Sequence, residues 1–498
     1  MRKKWTYVVL TVLAFVLPTW GNVVEAEEVM ADKVDLYMKA AMEEYQIPGL
    51  SAAIVQEGDI VFTNSYGVTA EGSTVSSKTP FLLGSLSKSM TALGIVQLVE
   101  SGQVELDESV GTYLPWFEAE ASSEVSSITI RQLLAQTSGY STYTGLAYSD
   151  VGAKDASALK ENVRHLSNTK LNRLPGEQHQ YSNANYMILG AVLEEVSGQS
   201  YADYMEQHVF GPLGMSTAAA DQERAVQTGF EHGYQSWFGY PRVSSVPYDN
   251  SGASYGYISA SIDDMTRYLQ FLLQDNDMLL SREYKELLLS PLVQHRPDRA
   301  YGFGWRISET EQGERMVWHS GSTPEARAEI FFVPERGVGA VILTNKDHIL
   351  EEARLIQVSK DLRGILDGQD PKPPSDGIHP VIWGLAVTLI ILLAIVIWML
   401  LRMQKRSLKL YLTLPLSLVL FAISAGIIPL FTRLTSSPWN SIRLFAPDIA
   451  YMTLGIAASL ALMGLVLMYG TLVSRRKHLE SLPGALDMKC NSKKMLPP

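Results

Sequence analysis

Three apolar runs near the C-terminus limit what this chain can fold into more than any other feature. Val381–Leu401, Leu410–Phe431 and Ile449–Val473 contain no Asp, Glu, Lys or Arg. A helix needs about 20 consecutive apolar residues to cross the hydrocarbon core of a bilayer. A core helix of a water-soluble domain would explain one such run. Three in succession read as three transmembrane helices. The flanking charges orient them. Arg402, Lys405, Arg406 and Lys409 follow the first run, and Arg475, Arg476 and Lys477 follow the third. The only basic residues between the second and third are Arg433 and Arg443. By the positive-inside tendency, the first loop and the tail 474–498 are cytoplasmic and everything before residue 381 lies outside.

The opposite end agrees with that topology. Arg2, Lys3 and Lys4 precede an apolar run from Trp5 to Trp20, and Val24-Glu25-Ala26 places small residues at a cleavage site. Residues 1–26 read as a signal peptide, and an uncleaved anchor would export the same domain. The only cysteine is Cys490, so the exported part has no disulfide and is held by its core. The formal net charge is −11, and no basic face suggests a nucleic-acid partner.

A Pro-, Gly- and Asp-rich linker, residues 367–380, separates a domain of residues 27–366 from the spans. Within that domain, "LSAAIVQEGDIVFTNSYG" reads as a hairpin turning at Glu57-Gly58-Asp59. Late in the domain come three strand-like runs, "RMVWHSGS", "RAEIFFVP" and "VGAVILTN". The pattern between them is mostly helical. Leu189, Val192, Leu193 and Val196 fall at helical spacing before Gly198, and Ser261 with Asp264 form a cap signature before another helix. Strands at both ends with helices between predict an α+β domain: one sheet built from both termini, plus a helical lobe.

The chemistry centres on "FLLGSLSKSMTAL", Phe81–Leu93. The helix it opens is apolar nearly all round, so it is expected to be buried. Residues three apart share a helix face, which puts Lys88 beside Ser85. A serine hydroxyl is a poor nucleophile until a base takes its proton, and a desolvated lysine can be that base. Lowering its pKa from about 10.4 to near 7 costs roughly 4–5 kcal/mol. The same spacing occurs at Ser157/Lys160, Ser167/Lys170 and Ser474/Lys477, so context singles out the first pair, not pattern.

Two further elements carry candidate roles. Tyr181-Ser182-Asn183 directly precedes an amphipathic helix, where Ser182 or Asn183 could be an ordinary cap. Functionally, the Tyr181 phenol could relay the proton between lysine and serine, and Asn183 could bind substrate or hold the lysine. Tyr248-Asp249-Asn250 has the same spacing. His319-Ser320-Gly321-Ser322 ends a strand-like run. It is either a tight turn or a place where Gly321 admits a substrate backbone and the Ser322 N–H pairs with that of Ser85 as an oxyanion hole.

In this order, Ser-x-x-Lys, Tyr-x-Asn and His-Ser-Gly resemble the motifs of the penicillin-recognising serine hydrolases, most closely class C β-lactamases and DD-peptidases. Leu133–Tyr140, Phe210–Met215 and Tyr301–Trp305 add to the resemblance, which covers roughly Asp32–Leu366. It implies an antiparallel sheet flanked by helices, an all-α lobe and an active site between them. It assigns Ser85 as nucleophile, Lys88 and Tyr181 as the base system, and Asn183, His319, Gly321 and Ser322 as the substrate-binding and oxyanion residues. It implies no metal or cofactor, and the "EQHQ" stretch around His179 is expected to be a surface loop. One position departs from the class C pattern: His319 stands where a lysine is usual. A histidine is mostly neutral at pH 7, which weighs against efficient β-lactam hydrolysis and leaves peptidase action open.

The resulting expectation is a membrane-anchored serine hydrolase acting outside the cytoplasm on a peptide or other acyl donor, foremost a D-residue-specific peptidase. An esterase, a β-lactamase and a peptidase that removes N-acyl-D-amino-acid caps from prodrugs are alternatives. The last is disfavoured by "STPEARAEI", which offers no asparagine at Glu325 or nearby. A β-lactam receptor would need an output domain, and the tail is short.

Overall fold

The computed structural model describes residues 29–155, 157–373, 380–402 and 410–480. The expected signal peptide, part of the linker, three of the four basic residues of the first loop and the end of the tail lie outside them. The chain forms two compact units, one reaching to residue 377 and including Leu444–Ala446, the other holding residues 378–443 and those from 447 on.

The first unit is organised by an eight-stranded antiparallel sheet. Its strands are β1 (Gly49–Gln56), β2 (Asp59–Gly67), β3 (Pro291–Arg296), β4 (Arg299–Gly302), β5 (Arg306–Glu309), β6 (Arg315–Thr323), β7 (Ala326–Val333) and β8 (Val338–Thr344). The order across the sheet is β2-β1-β8-β7-β6-β5-β4-β3, so the early hairpin does join the late strands, forming one edge of the sheet with β1 paired to β8. Alternation decides which way each side chain points. Leu50, Ala52, Ile54, Phe331, Val333, Ala340 and Ile342 face one side, packing on helix α1 (residues 29–44) and on α5 (Glu352–Leu366). Ala53, Val55, Ile330, Phe332, Val341 and Leu343 face the other, against a larger core. That core includes α2 (Ser87–Glu100), α3 (Asn183–Ser197) and α4 (Ile262–Leu273). Both faces are covered, which explains why β7 and β8 read as nearly continuous apolar runs.

The helix signals behave as their chemistry dictates. Ser261 and Asp264 close a reciprocal capping box on α4. Gly198 ends α3 in the left-handed conformation, φ 69°. The mostly helical reading of the middle missed β3, β4 and β5. These are four to six residues long, and "PLVQHR" and "RISE" show too little alternation to announce a strand. They exist because β6 offers an edge to pair with.

The second unit holds α6 (Pro380–Arg402), α7 (Leu410–Thr435), α8 (Trp439–Phe445) except its last two residues, and α9 (Pro447–Glu480). Three segments are long and apolar enough to cross a membrane: Pro380–Arg402, Leu412–Thr435 and Pro447–Val473. Small residues let these helices approach closely, with Gly455 against Leu389 and Gly464 against Phe421. Thr413 and Thr471 share a hydrogen bond of 2.7 Å between α7 and α9. The short helix α8, which carries Arg443, was not foreseen.

Candidate active site

Ser85 sits in a short 3-10 turn, Gly84–Leu86, and α2 begins two residues later. The turn keeps the hydroxyl at the mouth of the helix instead of on its flank. Lys88, in the first turn of α2, has no exposed surface. Its Nζ lies 3.0 Å from Ser85 Oγ and donates to the Tyr255 carbonyl at 2.8 Å. Burial holds the Lys88 pKa well below the ordinary lysine value, the charge of Arg306 pushes the same way, and Asp150 opposes both. The Ser157/Lys160 match looks different. Lys160 is a surface residue paired with Glu195 at 3.3 Å.

Tyr181 precedes α3, and its ring centroid is 5.1 Å from Lys88 Nζ. Its buried hydroxyl faces Ser85 but closes no hydrogen bond of normal geometry. Burial raises its pKa, against the opposing influence of Arg306 and Ser85. Asn183 lines the cavity and donates to Ser149 Oγ at 3.0 Å. It does not hold the lysine; the Tyr255 carbonyl does. Ser182 occupies the cap position of α3 without a side-chain capping bond. The second Tyr-x-Asn is structural, with Asp249 capping a turn at Asn250–Gly252.

β6 supplies the third element. β5 pairs with it only from Arg315 to Trp318, so the β5 ladder stops short of His319–Thr323. On its other edge Gly321 pairs with Ala328 and Ser322 with Arg327. Gly321 packs directly on the Ser85 turn: a Cβ there would lie 1.9 Å from the Leu83 oxygen and 2.6 Å from the Ser85 nitrogen. A Cβ on Gly84, whose φ is +53°, would lie 2.4 Å from the Ser322 nitrogen. Two glycines thus bring the Ser85 and Ser322 amides into one neighbourhood. Ser322 is fixed from behind, donating to Glu352 and accepting from Arg327, both at 2.9 Å.

His319 is buried. Its Nδ1 lies 2.7 Å from the Ser320 carbonyl, and its Nε2 has no hydrogen-bond partner. Burial, Arg306 and Lys88 together press its pKa well below the usual histidine value, so it stays neutral.

The positive charge comes from a residue the sequence reading did not assign. Arg306, immediately after the Tyr301–Trp305 stretch, lies 5.3 Å from the Tyr181 ring centroid and 5.5 Å from that of Trp318. It lines a cavity of about 960 Å³ that also reaches Ser85, Ser320 and Ser322. Among the described residues no carboxylate lies within ion-pair distance of it, and its Nε is buried without a partner. Its position after an apolar stretch was visible, but one arginine among many carries no signal of its own. The "EQHQ" stretch lies in a loop with Glu177 and Gln178 exposed, and His179 within it is half-buried, stacking on His295 at 4.4 Å. No group of three or more metal-ligating side chains occurs among the described residues.

Comparison with known proteins follows the geometry. The model of the beta-lactamase family matches residues 34–360. Protein flp of Staphylococcus aureus (strain MW2) is 29% identical over 323 residues, covering 63% of this chain. The chain spans about 62% of the length of flp. Penicillin-binding protein 4* of Bacillus subtilis (strain 168) is 29% identical over 355 residues, 67% of this chain and 76% of that protein. The octameric penicillin-binding protein homologue from Pyrococcus abyssi superposes with a TM-score of 0.61 at 25% identity, covering 69% of this chain and 78% of its own. The fold, the matched stretch and the relatives agree, and the chain belongs to the beta-lactamase family.

Proposed function

We propose that this chain is a membrane-anchored serine hydrolase of the extracytoplasmic face, forming an acyl-Ser85 intermediate and acting foremost as a D-residue-specific peptidase. The observation that carries the reading is the contact between a fully buried amine and the hydroxyl one turn before it. A neutral Lys88 donates to the Tyr255 carbonyl and turns its lone pair on the Ser85 hydroxyl. It takes the proton as Oγ attacks a carbonyl carbon. Tyr181, beside both groups, is positioned to pass that proton to the leaving nitrogen. The Ser85 and Ser322 amides receive the developing oxyanion. The amine leaves, and water then hydrolyses the ester. The β6 edge beyond Trp318 can take an extended peptide as an added strand.

Arg306 supports a substrate with a carboxylate on the leaving side, since it supplies the cation that neutral His319 lacks. Glu325 gives the prodrug-peptidase alternative no support, because it is buried against His232 at 3.0 Å and lines neither cavity at Ser85.

The test is intact-mass analysis of the full-length protein in detergent. The panel is D-Ala-D-Ala peptides, N-acyl-D-Asn amides, short-chain esters and benzylpenicillin. A Ser85-linked adduct with turnover of D-Ala peptides is expected, and Ser85→Ala removes it. An adduct on another residue, or none, sinks the reading, and an adduct that never turns over favours a binding role. Arg306→Ala is expected to lower kcat/KM roughly ten- to a hundredfold for peptides ending in a carboxylate. Short-chain esters lose far less.

A further inference from the structure

The cavity at Ser85 has a second arm. The larger arm contains Arg306. The smaller, on the Asn183 side, is lined by Leu146, Asp150, Asn183, Tyr255 and Tyr257, among others. Both arms include Ser85, Tyr181 and Ser322. A substrate whose carboxylate lies on Arg306 therefore places its acyl portion in the smaller arm.

That arm contains a carboxylate with no use in the mechanism above. Asp150 follows the helix Thr142–Ala147 and has a left-handed backbone, φ 58°. Its Oδ1 accepts from the Tyr257 hydroxyl at 2.7 Å. Among the described residues, no hydrogen bond reaches its Oδ2 and no cation lies within ion-pair distance of it. Burial raises its pKa to about 6; Tyr257 opposes this, Asp249 reinforces it, and Lys88 opposes it. Asp249 stands behind, accepting from the Val151 amide at 2.9 Å and from the Tyr255 hydroxyl at 3.4 Å. Lys88, whose charge acts on Asp150, is already committed to Ser85 and Tyr255. Tyr181, Tyr255 and Tyr257 line the same arm, with the Tyr255 and Tyr257 hydroxyls hydrogen-bonded to Asp150. A carboxylate among aromatic faces is the surrounding that an ammonium group seeks.

We infer that Asp150 and the surrounding tyrosines form a specificity subsite that receives an ammonium group on the acyl portion of the substrate. This rests on the acyl-Ser85 reading and narrows its substrate class to amine-bearing acyl donors. The amine could be the α-amino group of the residue before the D-residues or the end of a long side chain. The chemistry is the same, and the test separates them.

The experiment uses the full-length protein in detergent and three peptides of the form Lys-D-Ala-D-Ala. One is acetylated on both amines, one only on the α-amine and one only on the ε-amine. D-Ala release should be faster for one of the singly acetylated peptides than for the diacetyl peptide, by roughly ten- to a hundredfold in kcat/KM. Asp150→Asn should bring that ratio close to one. Asparagine tolerates the left-handed backbone as aspartate does, so the loop conformation is kept. Equal rates for all three peptides in the unaltered protein overturn the subsite, as does a ratio that survives D150N. A D150N variant that loses activity equally on all three also overturns it, because Asp150 would then act only through the field it exerts on Lys88. If neither the peptides nor benzylpenicillin acylates Ser85, the peptidase reading itself has failed, a result distinct from equal cleavage of all three.

Discussion

Replacing Lys88 by methionine will cut acylation of Ser85 by about a hundred- to ten-thousandfold while making the protein more stable. On the proposed mechanism the loss follows from removing the base, whose Nζ lies 3.0 Å from Ser85 Oγ. The gain follows from linkage. Burial lowers the Lys88 pKa, so between its folded value and the ordinary value the unfolded chain binds a proton that the folded chain does not. Stability therefore rises with pH across that window and is reduced at neutral pH. Methionine fills a similar volume without a charge to desolvate, so a gain of about 0.5–2 kcal/mol is expected. The pH profile carries the same sign. The neutral amine is the active form, so kcat/KM of the unaltered protein falls as pH drops through the Lys88 pKa, and the variant lacks that limb. Thermal unfolding together with pH-dependent acylation checks both halves. A variant that loses stability and activity together would make Lys88 a structural residue and remove the basis of the mechanism.

Gly321→Ala is expected to be nearly as damaging for a different reason. The new Cβ would sit 1.9 Å from the Leu83 oxygen, a backbone atom that no side-chain rotation can clear. Either β6 or the Ser85 turn must move, and each carries one of the two amides proposed to receive the oxyanion. One such donor is worth about a hundred- to a thousandfold in kcat, so a loss of at least that order is expected. The overpacking should also cost about 1–3 kcal/mol in stability. Ser320→Ala, one position earlier on the same strand, adds no atom in that contact and is the control. Measured acylation rates and denaturant midpoints decide the matter. A fully active Gly321→Ala protein would show that the two amides do not act from this geometry.

The sequence made much of this legible because its signals are local. The left-handed Gly198, the Ser261/Asp264 box and the β1–β2 hairpin each follow from residues a few positions apart. The Ser85–Lys88 contact is equally local, fixed by one turn of backbone. The three short strands from 291 to 309 were not legible, because they are held by successive pairing outward from β6 and by little of their own. The same holds for Tyr255, whose carbonyl grips Lys88 from 167 positions away.

By itself, then, the sequence determined the Ser85–Lys88 pairing, the α+β class and three membrane-length apolar segments, since helical spacing and hydropathy are written in neighbouring residues. Only the tertiary structure decided which charges surround Ser85. Arg306 arrives on a strand that exists only in register with β6, and Asp150 arrives on a loop fixed through Tyr255 and Tyr257. The physical reason is that a charge acts through distance in space and through the water removed around it. Packing sets both quantities, and spacing along the chain sets neither.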